Sequence, residues 1–241
     1  MEIHNDRHIY SDNPAVAAAF AEWLVNWLKG RSRTTIALSG GSTPKLLFQV
    51  LAKQYADQID WSGIHLFWGD ERCVSPDHAD SNFGMTKALL LDHIDIPAAN
   101  IHRVLGEEDP ASEAVRYGQE ILSTVSAVDG LPAFDLIILG MGGDGHTASI
   151  FPHEMHLLQD AAICAVATHP ESGQNRITIN GPVLNHAYQV AFLVTGASKA
   201  EKVQIILGKQ AGHEAYPAAH IKPAGGITYW FLDEAAASLL S

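Results

Sequence analysis

An α/β fold, an open and mostly parallel sheet with helices on both faces, is predicted for this 241-residue chain by three observations. Short apolar runs alternate with helix-length segments along the chain, the order expected of a parallel sheet covered on both sides. Several of those runs end in Gly, Ser or Asp just before a helix start, as strand-to-helix turns do. The run at 136–139 is short enough for a buried strand, and four glycines follow it within residues 140–145.

Residues 14–28 read as the first helix, with Asn13 as N-cap and Pro14 at the first helical position. Its nearly continuous apolar content suits close packing against the sheet. Residues 34–38 form a strand, followed by Ser39-Gly40-Gly41-Ser42-Thr43-Pro44, and Pro44 opens a helix to about residue 55. Residues 64–68 make the next strand, ending in Gly69-Asp70-Glu71-Arg72, and 81–91 are helical. Asp109-Pro110 repeats the cap-plus-proline start for a helix to about residue 125. After the strand at 136–139, shorter strands are expected at 161–168 and 176–180. The apolar run 189–194 ends in Thr195-Gly196-Ala197-Ser198-Lys199 and leads into a helix to about residue 207. Residues 208–226, rich in Gly, Pro and His, read as an extended loop; 228–232 is a strand, and Asp233 caps a terminal helix. No repeat, low-complexity tract or long linker divides the chain, so residues 1–241 are read as one Rossmann-like domain.

With 15 Lys and Arg against 27 Asp and Glu, the formal net charge is −12, and 47% of residues are hydrophobic. Such a balance disfavours nucleic acid and anionic membrane as partners. It leaves room for an anionic small molecule, because a few local cations and backbone N–H groups can dominate one pocket. Cys73 and Cys164 stand far apart in no paired spacing, which argues against a disulfide framework or thiolate zinc site and fits a reducing, cytoplasmic setting. The first residues lack the basic and apolar regions of a secretion signal, and no stretch is apolar enough to span a membrane. His4 and His8, four apart in a polar segment, are expected to be solvated.

The chemistry concentrates at the strand ends. In residues 134–152 a strand runs into Gly140-Met141-Gly142-Gly143-Asp144-Gly145-His146, where glycines allow positive φ and close backbone approach. Ligands of open parallel sheets bind beyond the carboxyl ends of strands, so His146 is a candidate catalyst with Asp144 as its neighbour. Residues 39–43 precede a helix whose free N–H groups favour an anion. Arg72 and Lys199 end other strands at the same edge, whereas Arg176 begins a strand and is not placed there by pattern. Taken singly, these are a glycine turn, a surface ion pair with Asp70 and Glu71, and a solvated lysine; together they describe a cationic pocket.

Other chemistries fit less well. Residues 140–145 match G-x-G-x-x-G, but Pro152 and the apolar run from Ala161 leave no room for the crossover helix of a dinucleotide site. No G-x-S-x-G elbow or Walker A ending is present. His146, His153 and His156 match no metal-ligand spacing.

In combination the motifs resemble the 6-phosphogluconolactonase family, relatives of the glucosamine-6-phosphate deaminases. The resemblance rests on residues 39–44, Trp68-Gly69-Asp70-Glu71-Arg72, Asp80-Ser81-Asn82, residues 140–152, Arg176-Ile177-Thr178, residues 196–200 and Trp230-Phe231-Leu232-Asp233. Deaminases resemble one another in Asp-Glu-Tyr where this chain has Asp70-Glu71-Arg72. They also supply a glutamate after Asp-Gly-His where it has Thr147-Ala148-Ser149-Ile150-Phe151-Pro152. The chain departs from the lactonase pattern at Phe83, at His153 and over residues 169–175.

The resemblance implies hydrolysis of 6-phospho-D-glucono-1,5-lactone to 6-phosphogluconate in the pentose phosphate pathway. His146 would be general base and Asp144 its tuning neighbour. Ser39, Gly40, Gly41, Ser42, Thr43, Arg72, Lys199 and, through the family match, Arg176 would bind the phosphosugar lactone. No metal or organic cofactor is expected, since the lactone is already activated and water is the second reactant. A monomer or weak homodimer is expected. The alternatives are a deaminase-like isomerase and a non-catalytic sugar-phosphate-binding regulator.

Overall fold

The computed structural model describes residues 4–240, and within them strands and helices alternate much as the sequence predicts. Strand β1 (His4–Tyr10) leads to helix α1 (Asn13–Leu28), and β2 (Thr34–Leu38) leads to α2 (Ser42–Val50). β3 (Ile64–Trp68) is followed by the short β4 (Asp70–Arg72), α3 (Asn82–Leu89) and α4 (Pro110–Thr124). A small hairpin, β5 (Ala127–Val128) and β6 (Leu131–Pro132), precedes β7 (Leu136–Leu139), β8 (Cys164–Thr168) and β9 (Asn175–Ile179). Then come α5 (Gly181–His186), β10 (Gln189–Val194), α6 (Ala200–Leu207), β11 (Ile227–Asp233) and α7 (Glu234–Ala237).

Six strands form one sheet in the order β1-β11-β10-β7-β2-β3, with every neighbouring pair parallel. Alternation along each strand sorts side chains onto two faces. Ile36 and Leu38 of β2 enter a core with Phe20 of α1 and Phe48 of α2. Ala37 faces the opposite core, with Tyr117 of α4, Val183 of α5 and Val203 of α6. Both faces are therefore covered, which is why the strands read as apolar runs.

Some boundaries differ from expectation. The N-cap of α1 is Asp12, whose extended backbone lets its side chain accept from Ala15 N at 2.8 Å, while Asn13 is already helical. Beyond α2 the chain continues as one wider π-type turn, Leu51–Tyr55. The polar segment 4–10 is an edge strand, and His8 is half-buried, stacked 4.7 Å from Phe231. The expectation for the His4 side chain lies outside the described residues. Residues 208–226 contain two short 3₁₀ turns, His213–Ala215 and Pro217–His220.

A second sheet, antiparallel in the order β4-β9-β8, stands at the carboxyl end of the first. Gly69 joins them: its N–H donates to Leu38 O at 2.8 Å, and its carbonyl accepts from Ile179 N at 2.9 Å. The outer edge of β3 is closed from α4. Tyr117, fully buried, accepts from Trp68 N at 2.8 Å and donates to Trp68 O at 2.9 Å through one hydroxyl. Removing that oxygen leaves a buried N–H and C=O unpaired. Tyr117→Phe is expected to lose about 1–3 kcal/mol of unfolding free energy in urea with the slope unchanged; an unshifted midpoint would show that the hydroxyl contributes nothing.

Candidate active site

The turns after β2, β3, β7 and β10 meet at the carboxyl edge of the parallel sheet around an open cleft of about 240 Å³. Its walls include Ser39, Gly40 and Gly41 from the first turn, and Gly140, Gly142 and His146 from the third. Arg72, Arg176 and Lys199 complete its cationic side.

After β7 the backbone folds back at once. Gly142 N donates to His146 O at 2.9 Å, and Gly145 N donates to Gly142 O at 3.1 Å. Two of its glycines are required by space. A Cβ on Gly142 would stand 2.2 Å from His146 Nδ1 and 2.5 Å from Asp144 Oδ1. Gly145 has φ +82, and a Cβ there would stand 2.6 Å from the Tyr216 ring. Ala148, a non-glycine residue at φ +48, turns the chain again beside the cleft, a conformation that holds only where the surroundings enforce it.

The turn brings Asp144 Oδ1 to 2.6 Å from His146 Nδ1. Burial works to raise the Asp144 carboxyl, but the hydrogen bond and charge of His146 outweigh it and hold the pKa down to about 2. Asp144 is therefore a carboxylate at any neutral pH, and the imidazole proton sits on Nδ1. His146 Nε2 has no hydrogen-bond partner among the described residues. Phe151 packs against the same ring, with centroids 4.7 Å apart.

The second sheet supplies what pattern could not place. Arg72 and Arg176 are register partners across β4 and β9, so their side chains leave the same face. Burial depresses the proton affinity of Arg176; Asp70 opposes that and Arg72 adds to it. Asp70 is itself buried and accepts from Ser149 Oγ at 2.7 Å. Lys199 stands opposite, half-buried after β10, where burial lowers its pKa and Asp144 pulls it back. Glu71 makes no surface ion pair. It is buried, and accepts from the backbone N–H groups of Arg72, Asn82 and Phe83 and from Ser81 Oγ. Burial pushes its carboxyl pKa up, and those donors pull against it.

Of the residues singled out in the sequence, Ser39, Gly40, Gly41, Arg72, His146, Arg176 and Lys199 share the cleft, with Asp144 behind His146. Ser42 and Thr43 do not line it. They line an adjoining recess of about 160 Å³ that shares Gly40, Gly41 and Lys199 with the cleft. There Thr43 Oγ1 is taken up by Thr195 Oγ1 at 2.9 Å, because α2 already begins at Ser42 and turns both side chains away. Sequence reading missed Asp70, Asn82, Met141 and Ala148 as lining residues. Asn82 lay in a noted motif, Asp80-Ser81-Asn82, and its Nδ2 donates to Asp70 O at 2.9 Å. His153 stacks on Phe151 outside the cleft, and no group of three metal-ligating side chains is gathered among the described residues.

A parallel α/β sheet with a cationic cleft at its carboxyl edge, and a carboxylate-held histidine within it, defines an enzyme class that handles small anionic molecules. Comparison with known proteins narrows the class. The family described as glucosamine-6-phosphate isomerases/6-phosphogluconolactonase matches residues 12–230. The 6-phosphogluconolactonase of Haemophilus influenzae is 50% identical over 206 residues, 85% of this chain and 87% of the relative. Among solved structures, one titled devB protein superposes with a TM-score of 0.94 at 44% identity, covering 99% of this chain and 100% of the other. The 6-phosphogluconolactonase of Trypanosoma brucei superposes with a TM-score of 0.88 at 27% identity, covering 100% of both chains. The chain belongs to the glucosamine-6-phosphate isomerase/6-phosphogluconolactonase family, and the resemblance read from its motifs is borne out.

The crowding at Gly142 gives a test of how the pair is held. Gly142→Ala is expected to fold, with thermal unfolding within a few degrees of wild type, while pushing His146 off Asp144 and lowering kcat by about 10²-fold. Unchanged turnover would show that the 2.6 Å pairing is dispensable.

Proposed function

We propose that the chain is a 6-phosphogluconolactonase that opens 6-phospho-D-glucono-1,5-lactone with water, His146 serving as general base and no metal taking part. The observation that carries the reading is the Asp144–His146 pair, which leaves Nε2 unpartnered in the same cleft as Arg72, Arg176 and Lys199.

Asp144 accepts the Nδ1 proton, so the lone pair of His146 is on Nε2, the nitrogen that can take a proton from water. The water oxygen adds to the lactone carbonyl as that proton moves to Nε2. In the tetrahedral intermediate the ring C–O bond then breaks. Nε2 returns its proton to the departing oxygen, giving a free hydroxyl and a carboxylic acid that ionises. Asp144 stabilises the imidazolium between the two steps without itself being protonated.

Arg72, Arg176 and Lys199 hold the 6-phosphate, together with the backbone N–H groups of residues 39–41. Two guanidiniums raised from one face suit a phosphate's oxygens. Arg72 Nη1 donates to Asp80 O and Arg176 Nη1 to Ser149 Oγ at 3.5 Å, which fixes both guanidiniums in the wall of the cleft. The carbonyl carbon thereby comes to Nε2 through positioning rather than covalent capture. Free Cys73 and Cys164 suit the reducing cytoplasm in which we place the enzyme.

The test is hydrolysis of the lactone by purified protein in excess chelator, read against the spontaneous rate. Metal-independent acceleration is expected; a rate equal to the enzyme-free control removes the assignment. His146→Asn is expected to lower kcat about 10²–10⁴-fold with little change in KM. Arg72→Ala should chiefly raise KM, and an effect confined to kcat would move Arg72 from phosphate binding into the chemistry.

A further inference from the structure

A cavity of about 360 Å³, larger than the catalytic cleft, lies between the end of α6, the 208–226 segment and β11. Its apolar lining includes Leu207, Ala218 and Trp230, and its polar lining includes Lys209, Lys222 and His213. The size is that of a small-molecule site.

Both lysines are solvent-exposed where they line the cavity. Neither ammonium has a carboxylate within ion-pair distance among the described residues, in a chain with net charge −12. Nor are their ammonium groups needed to cap α6, where cations ordinarily settle. The last four carbonyls of that helix already have donors. Gln204 O accepts from Gly208 N, Ile205 O from Gln210 N, Ile206 O from Lys209 N, and Leu207 O from the Arg7 guanidinium at 3.1 Å. His213 is engaged by Gln210 O and faces Glu214, so the lysines carry the positive charge. On the apolar side, Trp230 is 2% exposed, and its indole Nε1–H is buried with no partner among the described residues. A buried indole N–H ordinarily finds an acceptor.

We infer that this cavity is a second ligand site, taking a small organic anion that sets a carboxylate or phosphate between Lys209 and Lys222 and an apolar body over Trp230. The site is connected to the catalytic turn. Ala218 lines the cavity and donates from its N–H to Gly145 O at 3.1 Å, and the neighbouring Tyr216 ring is the surface against which Gly145 packs. A ligand that firms this segment therefore bears on the backbone that carries Asp144 and His146.

The probe is the indole N–H resonance of Trp230 in ¹⁵N-labelled protein, assigned by its loss in Trp230→Phe and followed during titration with phenyl phosphate and, separately, benzoate. A saturable shift with either compound is expected, and which one produces it identifies the preferred head group. The shift should disappear in the Lys209→Ala/Lys222→Ala double variant, whose turnover without probe should match wild type. It should persist in Arg72→Ala. No shift with either compound, an equal shift in the double variant, or a shift abolished by Arg72→Ala would each overturn the inference, the last by locating the signal in the catalytic cleft. The readout needs no reaction, so it stands or falls separately from the lactonase assignment.

Discussion

Because β1, β11, β10, β7, β2 and β3 all pair in parallel, every turn that follows one of them leaves the sheet at the same edge. That constraint gathers residues 39–41, the Asp144–His146 turn and Lys199, which are far apart in sequence, around one cleft. Each loop needs only to be short and rich in small residues, and the sheet does the convergence. Parallel strands alone cannot aim a side chain back across the cleft. The antiparallel β4–β9 ladder, attached through Gly69, does so by raising Arg176 beside Arg72.

Electrostatically, the cleft is an exception to the molecule around it. The chain is acidic overall, yet the acids near the site are spoken for. Asp144 is bound to His146, Asp70 to Ser149, and Glu71 to the first N–H groups of α3. Among the cations, Arg72 is held by Asp80 O, while Arg176 and Lys199 line the opening at a cost visible in their depressed proton affinities, each set first by burial. Under the phosphate-binding role proposed above, an arriving phosphate would restore what burial removed.

Much of this was legible in the chain because it lies in local chemistry. The apolar run 136–139, the glycines after it and Pro-led helix starts such as Asp109-Pro110 mark strand, turn and cap without reference to anything distant. What escaped depends on partners far along the chain. Segment 4–10 is a strand only because β11 lies beside it. Arg176, at the wrong end of its strand by pattern, reaches the cleft only through antiparallel pairing with β4. Asn82 carries no chemical signature of its own, and its place follows from the capping of α3 by Glu71. Ser42 and Thr43 were read as part of one anion loop, but the helix begins two residues earlier than its proline suggests. Local rules describe the turn; they do not say where its last two hydroxyls point.

The β8–β9 hairpin has a consequence for how the chain can change. Its tip, residues 169–174, is mostly solvent-exposed, with open space around Gly173. Length added there is absorbed outside the ladder, which makes the tip a natural site for an inserted reporter or for new chain ends. One residue added a few positions later, inside β9, is another matter. It would reverse the facing of every following side chain, carry Arg176 out of register with Arg72, and dismantle a pocket whose other walls had not moved.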